Sequence, residues 1–183
     1  MNEIEVKAKI SYPKKILKLL QQKGFEFSRG VRQKDDIYYE KGKDVNNLGS
    51  NPVVMRIREQ EGLATLTLKI PRANDLDCIE KETTVSDKSQ MRAILELIGF
   101  KKRVTIVKTR KKATKGNLTV CLDQVKDLGT FVEVEMLSSD NDGVSTQGKL
   151  YKFLTKLGIK EEARVFDGYD IQMRKKKNIT GIS

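Results

Sequence analysis

Charged residues recur two apart along five stretches of this sequence, and within each stretch the two share a sign. The acidic pairs are Glu3/Glu5 in E-I-E-V-K, Glu80/Glu82 in I-E-K-E-T and Glu133/Glu135 in F-V-E-V-E-M. The basic pairs are Arg56/Arg58 in M-R-I-R and Lys108/Arg110 in V-K-T-R. Side chains two apart on a β-strand point to the same face of the sheet. The residues between them, such as Ile4, Val6, Ile57, Val132 and Val134, point the other way and are mostly apolar. The pattern predicts antiparallel strands with one apolar face and one face crowded with both signs of charge. Carboxylates hold divalent metal ions, and guanidinium and ammonium groups hold phosphates. A face bearing both predicts a site for a metal–polyphosphate substrate.

Inventory narrows the chemistry further. The 183 residues suit one domain with a substantial core. There is no histidine, and the two cysteines, Cys78 and Cys121, have no metal-ligand spacing. A zinc centre of the usual Cys/His type and a Ser-His-Asp triad are both excluded. The cysteines are expected as buried thiols in a reducing cytoplasm. No run approaches membrane-spanning length, and the first residues enter a strand rather than a signal peptide. The net charge of +11 points to phosphate-bearing partners, although Arg174-Lys175-Lys176-Lys177 supplies part of it as a basic tail over about 174–183.

Along the chain, the first strand is expected over Glu3–Ile10. A helix opening at Ser11-Tyr12-Pro13 carries Ile16, Leu17, Leu19 and Leu20 on one stripe and stops at Gly24. Phe25–Ser28 and Asp36–Tyr39 read as strands, and 42–52 as a loop. Val53–Glu59 and Leu63–Ile70 form a hairpin about Glu61-Gly62, with a turn over Pro71–Asp77 and a strand over Ile79–Val85. Ser86-Asp87 caps a helix bearing Met91, Ile94, Leu95 and Ile98. A second hairpin pairs Arg103–Lys111 with Asn117–Asp123, followed by a strand over Thr130–Met136 and a helix over Val144–Leu157. Asp140-Asn141-Asp142-Gly143 lacks the spacing of a calcium loop and reads as a turn. Tyr38-Tyr39 reads as a strand or pocket wall, because no RNA-recognition signature accompanies it.

Alternating charge on one sheet face is ordinary where that face meets water. Two details favour a site. Acidic and basic pairs occupy different strands, whereas a merely soluble face mixes signs, and the pairs recur on most strands. Lys108 and Arg110 share strand parity with Val104 and Ile106, which predicts a bulge or a strand end beyond the core. Closing the sheet would remove its edges. It would also gather Glu3, Glu5, Lys7, Arg56, Arg58, Lys69, Glu80, Glu82, Lys108, Arg110, Asp123, Glu133 and Glu135 in one polar tunnel.

These residues resemble the signature of the CYTH family, the triphosphate tunnel metalloenzymes. E-I-E-V-K (Glu3 to Lys7) is similar to that family's E-x-E-x-K opening. Q-K-D-D-I-Y-Y (Gln33 to Tyr39), M-R-I-R (Met55 to Arg58), L-T-L-K (Leu66 to Lys69), E-K-E (Glu80 to Glu82), K-T-R (Lys108 to Arg110) and L-D-Q-V-K-D-L-G-T-F-V-E-V-E (Leu122 to Glu135) follow in order. The resemblance covers nearly the whole chain as a single CYTH-like domain. It implies an α+β fold, an eight-stranded antiparallel β-barrel tunnel with a charged interior and helices packed outside. It implies a triphosphate held by Lys7, Arg56, Arg58, Lys69, Lys108 and Arg110, of which Lys7, Arg56, Lys69 and Arg110 are the expected catalytic cations. Mg²⁺ or Mn²⁺ would be held by Glu3, Glu5, Glu133 and Glu135, with Glu80, Glu82 and Asp123 in support. The end of the chain departs from the family: Gly168-Tyr169 stands where many members have Ser-Tyr, and Arg164 is the candidate late basic residue.

The resemblance is nearest to the class IV adenylyl cyclases. It implies conversion of ATP to cyclic AMP and pyrophosphate, little protein acid–base chemistry, and a homodimer. The alternative is hydrolysis of thiamine triphosphate, inorganic tripolyphosphate or a nucleoside triphosphate in the same pocket. A further alternative is a non-catalytic binder of polyphosphate or RNA ends. The expected partner is a triphosphate-bearing small molecule, with neither a membrane nor nucleic acid.

Overall fold

The computed structural model describes residues 2–41, 53–74, 76–138 and 143–180. The loop expected over 42–52 and the turn expected at Asp140–Asp142 lie outside the described residues. The elements run β1 (Asn2–Lys9), α1 (Pro13–Gln22), β2 (Val31–Glu40), β3 (Val54–Gln60), β4 (Leu63–Asn74), β5 (Asp77–Val85), α2 (Lys88–Leu97), β6 (Phe100–Lys115), β7 (Leu118–Val125), β8 (Gly129–Ser138), α3 (Gly143–Lys156), a 3₁₀ turn (Glu161–Ala163), β9 (Arg164–Val165) and α4 (Tyr169–Thr180). The class is the one the sequence predicts, α+β with an antiparallel eight-stranded β-barrel fold and outer helices. Among the described residues no helix is long and apolar enough to cross a membrane. The chain divides into two compact units, Met1–Val31 with Lys108–Phe166 and Arg32–Val107 with Asp167–Ser183.

In the first unit β1 pairs antiparallel with β8, β8 with β7, and β7 with the second half of β6. The register places Val6, Val134 and Val120 in one row and Ala8, Val132 and Leu122 in the next. These rows form the apolar face. Helix α1 covers it with Ile16 and Leu20, and α3 with Leu150 and Leu154. Pro13 starts α1, where a missing N–H costs nothing. Truncating a core side chain such as Leu20 to alanine would cost ~2–5 kcal/mol. The opposite rows hold Glu5 with Glu135, and Lys7 with Glu133 and Cys121.

The second unit is a meander of β2, β3, β4 and β5. Glu61 (φ 50°) and Gly62 (φ 80°) make the tight turn between β3 and β4, both in the left-handed region that such turns require. Ile57, Tyr38 and Leu95 form a small core under α2, joined by Met55, Leu66, Met91 and Phe100. Asp87 caps α2 by accepting hydrogen bonds from the Ser89 and Gln90 amides at 2.8 and 2.9 Å.

Two expectations need correction. Phe25–Ser28 is not a strand: Phe25 is buried in the apolar core against Phe153, and Ser28 meets Lys112 through its amide, donating to the Lys112 carbonyl, and its hydroxyl, accepting from the Lys112 amide. Side-chain packing, not a ladder, holds that segment. β6 runs unbroken from Phe100 to Lys115, with its ladder to β7 unshifted from Lys108 onward, so Lys108 and Arg110 do not lie beyond a strand end. Val104, Ile106 and Lys108 are instead buried at alternate positions of one long strand. The basic run Arg174–Lys177 lies within α4.

Candidate functional site

The sequence-predicted residues of the first unit lie on the charged rows, except Arg164, which stands opposite Ala8 of an apolar row. Lys7 is almost fully buried, with its ammonium 3.3 Å from Glu5 and 3.1 Å from Glu133. Burial alone would lower the Lys7 pKa, but Glu5 and Glu133 outweigh it and hold Lys7 above the ordinary lysine value. Asp123 is fully buried and accepts from Lys108 Nζ at 2.9 Å and from Arg110 Nε at 2.7 Å. Arg110 also donates to Glu133 and lies 3.6 Å from Glu135. Its guanidinium is likewise held above its ordinary value, Glu133 and Asp123 prevailing over burial.

One carboxylate oxygen each from Glu3, Glu5 and Glu135 lies within 4.8 Å of the others. Ligands at about 2.0–2.6 Å from a hard dication sit at most ~4–5 Å apart. This all-oxygen donor set therefore fits Mg²⁺, Mn²⁺ or a similar ion. Glu133 falls outside it and groups with Glu135 and the thiol of Cys121. Arg164 on β9 bonds Glu161 at 2.8 Å and stacks on the Tyr151 ring with 4.0 Å to its centroid.

In the second unit the basic residues are likewise held by acids. Arg56 donates to Thr67 at 3.0 Å and to Glu82 at 3.5 Å, with Glu80 at 3.9 Å. Lys69 pairs with Glu80. Thr67 in turn donates to Glu82 at 2.8 Å. Neither Glu80 nor Glu82 enters a group of metal-holding geometry among the described residues. The middle E-x-E pair thus orients Arg56 and Lys69.

Two residues escaped the sequence reading. Asp35, buried on β2, grips Arg58 through two bonds of 2.7 Å. The expected strand began one residue too late, at Asp36, and so left Asp35 out. Cys121 was read only as a core thiol, yet its strand parity with Asp123 already set it on the charged side. Of the two tyrosines, Tyr38 packs under α2, while the Tyr39 hydroxyl donates to Asp170 of α4.

A CYTH domain family model matches residues 1–169. A Methanocaldococcus jannaschii protein named "putative adenylate cyclase" is 30% identical over 172 residues, covering 92% of this chain and 97% of that protein. A solved Pyrococcus horikoshii structure, PH1819, is 27% identical with a TM-score of 0.76, covering 94% of this chain and 99% of the other. A solved Hippeastrum structure, described as a "putative adenylyl cyclase" with a dominant triphosphatase activity, is 18% identical with a TM-score of 0.57. It covers 91% of this chain and 90% of the other.

Proposed function

This chain belongs to the CYTH domain family, and from that premise we propose that it is a metal-dependent triphosphate-processing enzyme, of adenylyl cyclase type. The observation that carries the reading is the pairing of donor sets: three carboxylates spaced for a hard dication, beside buried cations held charged by acids. Glu3, Glu5 and Glu135 would hold Mg²⁺ or Mn²⁺, with Glu133 beside them. A divalent ion there supplies neutralisation of phosphate charge and activation of the attacking oxygen.

Lys7, Arg56, Arg58, Lys69, Lys108 and Arg110 bind the triphosphate oxygens. Lys7, Arg56, Lys69 and Arg110 stabilise the charge that develops on the leaving pyrophosphate. Glu80, Glu82 and Asp123 keep these cations oriented before substrate arrives. The ribose 3′-hydroxyl attacks the α-phosphorus and loses its proton to solvent, the bond from that phosphorus to the bridging oxygen breaks, and cyclic AMP and pyrophosphate leave. No histidine is needed, because positioning and charge carry the reaction. The whole chain acts as one CYTH-like domain.

Hydrolysis is the second reading, favoured by the activity attributed to the Hippeastrum relative of the fold. Purified protein given ATP, tripolyphosphate or thiamine triphosphate, with Mg²⁺, Mn²⁺ or chelator, separates the two. Metal-dependent cyclic AMP with pyrophosphate supports the cyclase. Orthophosphate without cyclic AMP replaces it with a triphosphatase.

A further inference from the structure

Cys121 is wholly buried, but its surroundings are not those of a core cysteine. A buried free thiol normally packs as a small hydrophobe. Cys121 stands cross-strand from Glu133 on β8, and its thiol donates to Glu135 Oε1 at 3.5 Å. Its Sγ and one oxygen each of Glu133 and Glu135 lie within 4.8 Å of one another. Glu135 is thus common to two donor sets, one all-oxygen with Glu3 and Glu5, the other mixed with Cys121 and Glu133. The other cysteine, Cys78, lies opposite Pro71 on β4 and belongs to neither set.

We propose that Cys121 is a soft ligand built into the carboxylate site, giving it a mixed sulfur–oxygen position for thiophilic divalent ions of the Zn²⁺ and Cd²⁺ class. The inference rests on the metal-holding role given above to Glu135. Thiolate sulfur selects soft and borderline ions, whereas carboxylate oxygens alone favour Mg²⁺ and Mn²⁺. Binding breaks the S–H bond as the sulfur–metal bond forms, and the proton leaves to solvent. Arg110, now on Glu133, must turn aside for the ion. Because Glu135 serves both positions, a thiophilic ion competes with the hard one and acts as an inhibitor of the metal-dependent reaction.

The test is Cd²⁺ titration of the full chain, following the ultraviolet charge-transfer absorbance of a cadmium–thiolate bond. The band is expected in the wild type and in Cys78→Ser, and is lost in Cys121→Ser and Cys121→Ala, with thermal melts showing that each variant is folded. A wild type without the band, or a folded Cys121 variant that keeps it, overturns the proposal. Mn²⁺ binding by electron paramagnetic resonance reports separately on the all-oxygen set. Mn²⁺ bound with no cadmium–thiolate band refutes the role of Cys121 and leaves the enzyme reading intact. No Mn²⁺ bound refutes the enzyme reading, while the band still decides the role of Cys121.

Discussion

Arg58 is clamped by Asp35 through two parallel bonds of 2.7 Å, Nε to one carboxylate oxygen and Nη2 to the other. Two residues earlier on the same strand face, Arg56 has the Thr67 hydroxyl at 3.0 Å and looser contacts with Glu82 at 3.5 Å and Glu80 at 3.9 Å. The two arginines are alike in sequence but not in how tightly they are held. A bidentate pair fixes a guanidinium, while single longer contacts leave one able to turn toward an incoming anion.

Arg56→Ala should therefore weaken tripolyphosphate binding by ~1.5–3 kcal/mol, the range for a hydrogen bond to a charged group, and change stability little. Arg58→Ala should weaken binding too and, unlike Arg56→Ala, lower stability by about 3 kcal/mol, because it removes both bonds to the buried Asp35. Titration calorimetry and denaturant melts on the two variants check this. Equal effects of both substitutions on binding and on stability would contradict it.

Asp123 offers a second test of the buried charge network. It accepts from both Lys108 and Arg110, and it is fully buried. Asp123→Asn should destabilise the fold by ~3–5 kcal/mol, the cost of breaking a buried pair. An unchanged melting temperature would show that the two cations find other partners.

Strand parity is why so much of this site could be read before the structure. Alternation assigns a face without knowledge of what lies opposite, so counting in twos puts Glu3, Glu5 and Lys7 on one face of β1 and Glu133 and Glu135 on one face of β8, the faces that the register joins. What alternation omits is cross-strand neighbourhood. Cys121 meets Glu135, and Arg58 meets Asp35, through strand register, which follows from turns and ladder length rather than from composition. The strand expected at Phe25–Ser28 failed for a related reason: two phenylalanines spaced two apart fit a strand and a core-packing segment equally well. The basic end of the chain carried no capping or periodic signal strong enough to reveal α4, whose Tyr169 and Met173 are buried.

The pH dependence follows from Lys7. Its folded-state pKa is raised, so its stabilising contribution is fully present below the ordinary lysine value of about 10.4 and is lost as pH rises beyond it. The stability gap between wild type and Lys7→Met should stay constant from about pH 6 to 9 and shrink at more alkaline pH. Denaturant unfolding across that range measures it. A gap that closes between pH 6 and 9 would mean that Lys7 is not held charged by Glu5 and Glu133.

The central claim is that the paired carboxylates hold the ion on which turnover depends. The most direct measurement is the initial rate against Mg²⁺ or Mn²⁺ concentration for wild type and Glu135→Gln, each confirmed folded, with chelator as the blank. The account predicts no turnover in chelator and a loss of about 100-fold or more in Glu135→Gln, the scale of removing a key electrostatic stabiliser. A Glu135→Gln enzyme with the wild-type rate and the same metal requirement would contradict it.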